Sequence, residues 1–402
     1  HGVYSEPDTK RYYQHGAFLS AVLGYVGSDN NGAYGLESEY NDELAGTAGR
    51  LVRVQNAQNK DIMPETQQYI PATDGNSLVL TIDSDIQNYL EKHLETALAD
   101  NPEARDGVSG IVMDVKTGEV LAMANLPDFD PNSAYELTND KYINELKENV
   151  AKILKEENVK VEIPDAWYEK GGLDNLPEAI HDNSDLVDEL GSARVNILMK
   201  TWRNPVIADN YEPGSTFKLI TAAAALDNIS DIHQRTFECN GSTKVGQTTV
   251  TCVRAHGTLT FEDALNVSCN GAFAQLAVEM GSSVMEEYVD KTGLTDKYSI
   301  NGIRTAASSF DFEADGETGL AWSGVGQGKD LVNPCALMIF CGAAARGRRR
   351  SRRSSIIPPF TKGLRKPVRT SNNSTDQLLN ESTADTLKSM MKSDVEIITE
   401  VR

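Results

Sequence analysis

The spacing of apolar and polar positions changes several times along the chain, and each change predicts an element. Residues 1–75 are polar and rich in Gly and Tyr, with little helical period, and read as turns between short strands and a short helix. Ser77-Leu78-Val79-Leu80-Thr81-Ile82 alternates with period two, the pattern of a half-buried strand. Ile86, Leu90, Leu94 and Leu98 then recur every four residues and predict an amphipathic helix. Ile111-Val112-Met113 and Val120-Leu121-Ala122-Met123 flank Lys116-Thr117-Gly118-Glu119, which predicts a hairpin. From Leu137 to Lys200 charged residues dominate. Tyr142–Val159 reads there as a solvated helix, and the whole stretch as a surface elaboration. Thr216–Leu226 (TFKLITAAAAL) is apolar and small, as in a buried helix. Cys239–Cys252 reads as a hairpin, and 261–267, 284–290 and 378–392 as helices. Cys335–Ala345 is the longest apolar run and has buried-helix length.

The 402 residues, 40% hydrophobic and 24% charged, suffice for two or three domains with a large core. A formal net charge of −21 repels phosphates and argues against a nucleic-acid partner. No run reaches the roughly 18 apolar residues that span a membrane. The chain opens on His1 and has no signal-peptide pattern, as expected of a fragment or a processed form, so it carries no evidence against an anchor elsewhere. Residues 346–375 depart from the acidic character of the rest, with ten Arg and Lys from Arg346 to Arg369 and no acidic residue. They read either as a patch for anionic wall polymer or lipid head groups, or as a non-native stretch, and the second reading is preferred. Among five cysteines, Cys239 and Cys252 flank the predicted hairpin. They are either a disulfide in an oxidising compartment or two thiols. No Cys/His spacing fits a zinc site.

The candidate chemistry centres on Glu212-Pro213-Gly214-Ser215-Thr216-Phe217-Lys218. Pro213 and Gly214 break the chain ahead of the apolar helix, which puts Ser215 at its N-terminus and Lys218 one turn on. A serine hydroxyl needs a neighbouring base, and a lysine amine acts as one once it is desolvated. The helix start favours the oxyanion formed when a carbonyl is attacked. A second Ser-x-x-Lys, Ser389–Lys392, reads as helix surface. Ser268-Cys269-Asn270 follows a predicted helix. A hydroxyl and an amide two residues apart on a loop point the same way, suiting Ser268 to relay a proton and Asn270 to grip a peptide carbonyl. Ser28–Asn30, Ser299–Asn301 and Ser371–Asn373 also match Ser-x-Asn and lack that context. Lys116-Thr117-Gly118 reads as a hairpin tip, Lys291-Thr292-Gly293 as a helix end, and His256 as structural. Gly324–Gly328 lacks the Lys-Ser/Thr of a phosphate loop.

EPGSTFK, preceded by Arg203-Asn204 and Asp209-Asn210-Tyr211, resembles the active-site helix of penicillin-binding proteins. HGTLTFEDALNVSCNGAFAQLA, Gly324–Gly328 with Val332-Asn333-Pro334, and Gly35-Leu36-Glu37 with Tyr40, Leu44 and Gly46 resemble the class B members. The resemblance implies an α+β fold, an antiparallel sheet between helix layers. Residues 1–75 would belong to a non-catalytic pedestal or dimerisation domain. Residues 76–402 would be a transpeptidase domain with an insertion at about 137–200. It implies a D,D-transpeptidase that cross-links peptidoglycan stem peptides at the outer face of a bacterial membrane, anchored by a helix outside this chain. β-Lactams would be its inhibitors and a membrane-embedded glycosyltransferase its partner. Ser215 would be the nucleophile, Lys218 the general base, Ser268 the proton relay and Asn270 the substrate amide, with no metal or cofactor. The family's third element, a strand bearing Lys-Thr-Gly after the last helix, is not met before Arg402. Two alternatives stay open: an inactive homologue with a scaffold role, and a β-lactam-sensing or β-lactam-hydrolysing serine acyl-enzyme.

Overall fold

The computed structural model describes residues 10–52, 68–102, 104, 107–300, 302–346 and 378–400. The basic stretch after Arg346 and Ser371–Asn373 therefore lie outside the described residues. The N-terminal segment is built from single helical turns, Ser20–Leu23, Gly35–Glu39 and Asn41–Leu44, and a short antiparallel pair, Arg50–Val52 with Gln68–Ile70. Gly35 has φ 59°, and a Cβ there would meet the Gly24 backbone nitrogen at 2.6 Å, so this turn admits only glycine. Leu36 and Tyr40 share a core with Val120, Met123, Ile207 and Cys335, which joins the segment to the rest of the molecule.

Residues 77–82 form no strand, contrary to the alternating pattern. Leu78, Leu80 and Ile82 pack against that same core, while Thr81 Oγ1 donates to Val120 O at 2.6 Å and Asp83 N to Leu121 O at 2.9 Å. The alternation recorded a buried face, and side-chain and single backbone bonds replace the ladder.

Helix α1, Ser84–Asp100, starts on Asp83, whose carboxylate accepts from the Asp85 and Ile86 amides. Its one fully buried side chain is polar. Gln87 donates to Met123 O (3.0 Å) and accepts from Met123 N (2.8 Å), as a neighbouring strand would. Strands β1, Val108–Met113, and β2, Val120–Leu126, form the expected hairpin. Its tip holds Lys116–Gly118, with the Lys116 amide on Asp114 Oδ1 and Gly118 at φ 79°. The chain has the mixed α+β fold, and β1–β2 is an antiparallel unit of that fold against which Leu90 and Leu94 of α1 pack.

The polar stretch 137–200 differs from expectation. Helices α2, Asp140–Glu156, and α3, Ser184–Trp202, pack together in a core that also takes in Tyr25, Phe129 and Ala134. Tyr142, Leu146, Val150 and Leu154, spaced by four, are the buried face of α2, so this helix is amphipathic rather than solvated. Its charges occupy the other face. Arg194 of α3 is buried and satisfies three carbonyls, those of Trp167, Tyr135 and Glu169.

Helix α4, Lys218–Asn228, is the centre of the largest core, with Ala222–Ala225 all fully buried. Four short strands follow: β3, Thr236–Cys239; β4, Ser242–Val245; β5, Thr248–Thr251; and β6, Gly257–Thr260. β3 pairs with β6 and β4 with β5. Helices α5, Phe261–Asn266, α6, Asn270–Met280, α7, Ser282–Lys291, α8, Gly316–Ser323, α9, Pro334–Arg346, and α10, Glu381–Glu400, complete the described fold. Lys291–Gly293 is the end of α7, with Gly293 at φ 73° and the Leu294 amide returning to Val289 O. Ser389 and Lys392 lie exposed on α10.

Arg194→Met removes the donors of three inward carbonyls. It should destabilise the protein by about 3 kcal/mol, seen as a lower urea midpoint by tryptophan fluorescence. Lys147→Ala, which breaks the exposed Lys147–Asp165 pair, should cost under about 1 kcal/mol. Equal midpoints for the two variants would refute this reading of Arg194.

Candidate active site

The turn that carries Ser215 is tighter than the sequence predicts. Gly214–Phe217 is a 3₁₀ turn, and the α-helix begins only at Lys218. In a 3₁₀ turn side chains at i and i+3 eclipse, which stacks Lys218 directly beneath Ser215. The cause is tertiary: the Gly214 amide donates to Gly326 O at 2.8 Å. Gly326, at φ 79°, is so close that a Cβ would stand 2.0 Å from Gly214 O. The glycine-rich loop therefore backs the Ser215 turn. Glu212 Oε1 also accepts from the Gly328 amide at 2.8 Å, and Thr221 Oγ1 donates to Gly324 O at 2.9 Å. On the approach, Asn333 donates to the carbonyls of Ile207 and Asp209, and Arg203 pairs with Asp209.

Ser215 is exposed, whereas Lys218 is 1% exposed. Lys218 Nζ lies 3.1 Å from Ser215 Oγ, 2.8 Å from Ser268 Oγ, 2.8 Å from Ser268 O and 2.5 Å from Asn270 Oδ1. All four residues singled out from the sequence thus meet at one amine. Burial is the main cause that pushes this amine down from its ordinary value to about 8; the Cys252 and Cys269 thiols oppose it. Ser268 O and Asn270 Oδ1 accept only. A neutral amine gives its two protons to them and keeps its lone pair for a hydroxyl, Ser215 or Ser268.

Ser268 holds φ 52°, the left-handed region. The end of α5 explains it: the Cys269 amide returns to Ala264 O and the Ser268 amide to Leu265 O, both at 2.9 Å, the closure that usually carries glycine. Asn270 opens α6, and its Nδ2 donates to Thr251 O at 2.8 Å, which turns Oδ1 toward Lys218. Ser28–Asn30 sits in a turn closed by the Gly27 amide on Asn31 O, and Ser299 lies on a short strand.

Cys239 and Cys252 form no disulfide. Cys239 Sγ lies 3.4 Å from His256 Nδ1, and Cys252 Sγ lies 3.9 Å from Cys269 Sγ. The structure gathers these four groups, which no sequence spacing had suggested as a metal set. The β3–β6 pairing closes one side, with the His256 amide on Cys239 O, and the α6 start supplies Cys269. The signal available in the sequence was the proximity of Cys269 to Asn270 and of Cys252 to the hairpin end. It becomes a cluster only through long-range pairing.

A family model described as the penicillin-binding protein transpeptidase domain matches residues 108–398, and one for the penicillin-binding protein dimerisation domain matches residues 1–80. Stage V sporulation protein D of Bacillus subtilis is 30% identical over 354 residues, 86% of this chain and 45% of that protein. Peptidoglycan D,D-transpeptidase FtsI of Escherichia coli K12 is 26% identical over 302 residues, covering 73% of this chain and 39% of that protein. The chain thus spans about half the length, or less, of these curated relatives. A solved structure, penicillin-binding protein A of M. tuberculosis as a ceftriaxone acyl-enzyme, superposes with TM-score 0.66 at 16% identity, over 96% of this chain and 75% of that one, a likeness of fold. With the transpeptidase model covering most of its length, this chain belongs to the class B penicillin-binding protein family.

Proposed function

We propose that this chain carries the acyl-transfer machinery of a D,D-transpeptidase, with Ser215 as nucleophile. The observation that carries the reading is the buried Lys218 amine between the Ser215 and Ser268 hydroxyls, with Asn270 beside it. Ser215 Oγ attacks the penultimate D-alanine carbonyl of a stem peptide while Lys218 takes its proton. The tetrahedral adduct collapses with loss of terminal D-alanine, whose amine receives a proton through Ser268. The amine of a second stem peptide then attacks the ester, forming the cross-link and returning the proton to Ser215. Asn270 holds the peptide amide. β-Lactams, as mimics of the D-alanyl-D-alanine end, acylate the same hydroxyl. In this reading the domain acts at the outer face of the cytoplasmic membrane, beside a membrane-embedded glycosyltransferase. Among the described residues no helix is long and apolar enough to cross a membrane.

Residues 1–75 serve as the pedestal or dimerisation part and residues 76–402 as the transpeptidase part. The helical stretch 137–200 is an insertion at about those bounds, packed with Tyr25 and Phe129. The choice of serine at position 268 supports the relay role. Glycine would meet the backbone demand at φ 52° more cheaply, so serine is kept for its hydroxyl.

Incubation with benzylpenicillin followed by intact-mass analysis should give a single covalent adduct, absent in Ser215→Ala. An adduct that survives in Ser215→Ala would overturn the choice of nucleophile. No adduct on the parent chain would favour the scaffold alternative. A persistent adduct that turns over only to water, with no transfer to an acceptor amine, would favour the sensor or hydrolase class.

Because the base works unprotonated, the acylation rate should rise with pH, level off above a midpoint near about 8, and not fall with Lys218 neutral. Lys218→Ala should slow acylation by roughly 10²- to 10⁴-fold. A pH-independent rate, measured by stopped-flow with a fluorescent penicillin, would exclude Lys218 as the base.

Ser268→Gly should be more stable than Ser268→Ala by about 1 kcal/mol, because only glycine relieves the left-handed backbone. Both should acylate more slowly than the parent. Urea unfolding beside acylation kinetics separates the two effects, and a Gly variant no more stable than the Ala variant would contradict the strained turn.

A further inference from the structure

Behind Ser268 and Asn270 lies a second group of reactive side chains that acyl transfer does not use. Cys239, Cys252, His256 and Cys269 place one ligand atom each within 4.8 Å of all the others. The Cys252–Cys269 sulfur separation is 3.9 Å and the Cys239 sulfur to His256 Nδ1 separation is 3.4 Å. A tetrahedron with Zn–S near 2.3 Å and Zn–N near 2.0–2.1 Å has S–S edges of about 3.8 Å and S–N edges of about 3.6 Å. The observed separations match those edges. A disulfide brings its sulfurs to about 2.05 Å.

The surroundings also suit a closed site. Cys239 and Cys269 are fully buried. The Cys252 amide on Gly241 O and the His256 amide on Cys239 O, both 2.9 Å, hold the ligand-bearing backbone. Arg254 acts electrostatically on His256 and offsets part of the net negative charge of three thiolates around a divalent ion.

We propose that Cys239, Cys252, His256 and Cys269 bind one zinc ion as a structural Cys₃His site. Three thiolates and one imidazole in a tetrahedral set select zinc over the hard cations, and four protein ligands leave no open position for chemistry. The ion clamps the active site from behind. Cys269 sits between Ser268 and Asn270, and Cys252 follows Thr251, whose carbonyl orients the Asn270 amide. These ligands are positioning residues: the metal fixes both flanks of the Ser268–Asn270 segment without touching substrate.

The chain, purified in reducing buffer without chelator, is analysed by native mass spectrometry and elemental analysis. Stoichiometric zinc is expected, retained in Cys341→Ser and in Ser215→Ala and lost in Cys239→Ser. Because Cys239→Ser is a buried change and its failure to fold would also lose metal, the parent chain is stripped with a chelator and titrated with Co(II). Thiolate-to-metal charge-transfer absorption and tetrahedral visible bands are expected, displaced by Zn(II). Absence of zinc and of cobalt bands in a natively folded chain would overturn the site. So would a disulfide among these cysteines that persists when the reduced chain is re-oxidised with Zn(II) present. The positioning role rests on Ser215 as the acylated residue. Stripping should slow acylation by up to about 100-fold, with recovery on re-adding zinc, and an unchanged rate would remove that role. Metal content and acylation are read separately, so loss of one assignment leaves the other standing.

Discussion

The arrangement around Ser215 depends on keeping one ammonium group out of water. Burying a lysine charge is costly, and the usual outcome is a lowered affinity for its proton. Lys218 follows that course, and the fold spends its polar contacts on the neutral form. Two acceptor-only oxygens, Ser268 O and Asn270 Oδ1, take the amine's protons, and two hydroxyls remain for its lone pair. Everything nearby serves that geometry. The alanines of α4 let other helices pack closely. Gly326 lets a loop lean on the nucleophile turn, and Ser268 accepts a left-handed backbone.

The same constraint separates wet from dry. Ser215 is exposed while Lys218, one turn below, is almost completely buried. A hydroxyl must meet substrate, and a base must lose solvent before it is useful at neutral pH. The 3₁₀ geometry of Gly214–Phe217 reconciles the two demands, since it stacks the groups along one line from surface to interior.

The Ser215–Lys218 pair was legible because it is local: a Pro-Gly break, an apolar helix and a spacing of three suffice. The 3₁₀ start was not, because it is imposed by Gly326, more than a hundred residues away. The α1 helix and the β1–β2 hairpin were legible from period alone. The burial of Gln87 was not, because its partner is a strand backbone and not an apolar neighbour. In 77–82 the alternation was real but reported burial, and the strand expected from it did not form. The face of α2 was written in the four-residue spacing from Tyr142 to Leu154, and the many charges of that stretch hid it.

The Cys₃His cluster marks the limit of reading along the chain. Its ligands are separated as Cys-x₁₂-Cys-x₃-His-x₁₂-Cys, and neither long gap is a local motif. They meet because β3 pairs with β6 and because α6 begins at the turn that ends α5. That turn is the weak link of the active site: it is short, and it carries a serine in glycine's conformation. The hydrogen-bonded helix end returns the amides of Val267, Ser268 and Cys269 and leaves the Ser268 and Asn270 side chains to other restraints. Fixing the residue between the two functional side chains to three distant groups restrains the segment where backbone bonding is thinnest. A cross-link at Cys269 therefore acts on the residue that lies between the two side chains set beside Lys218.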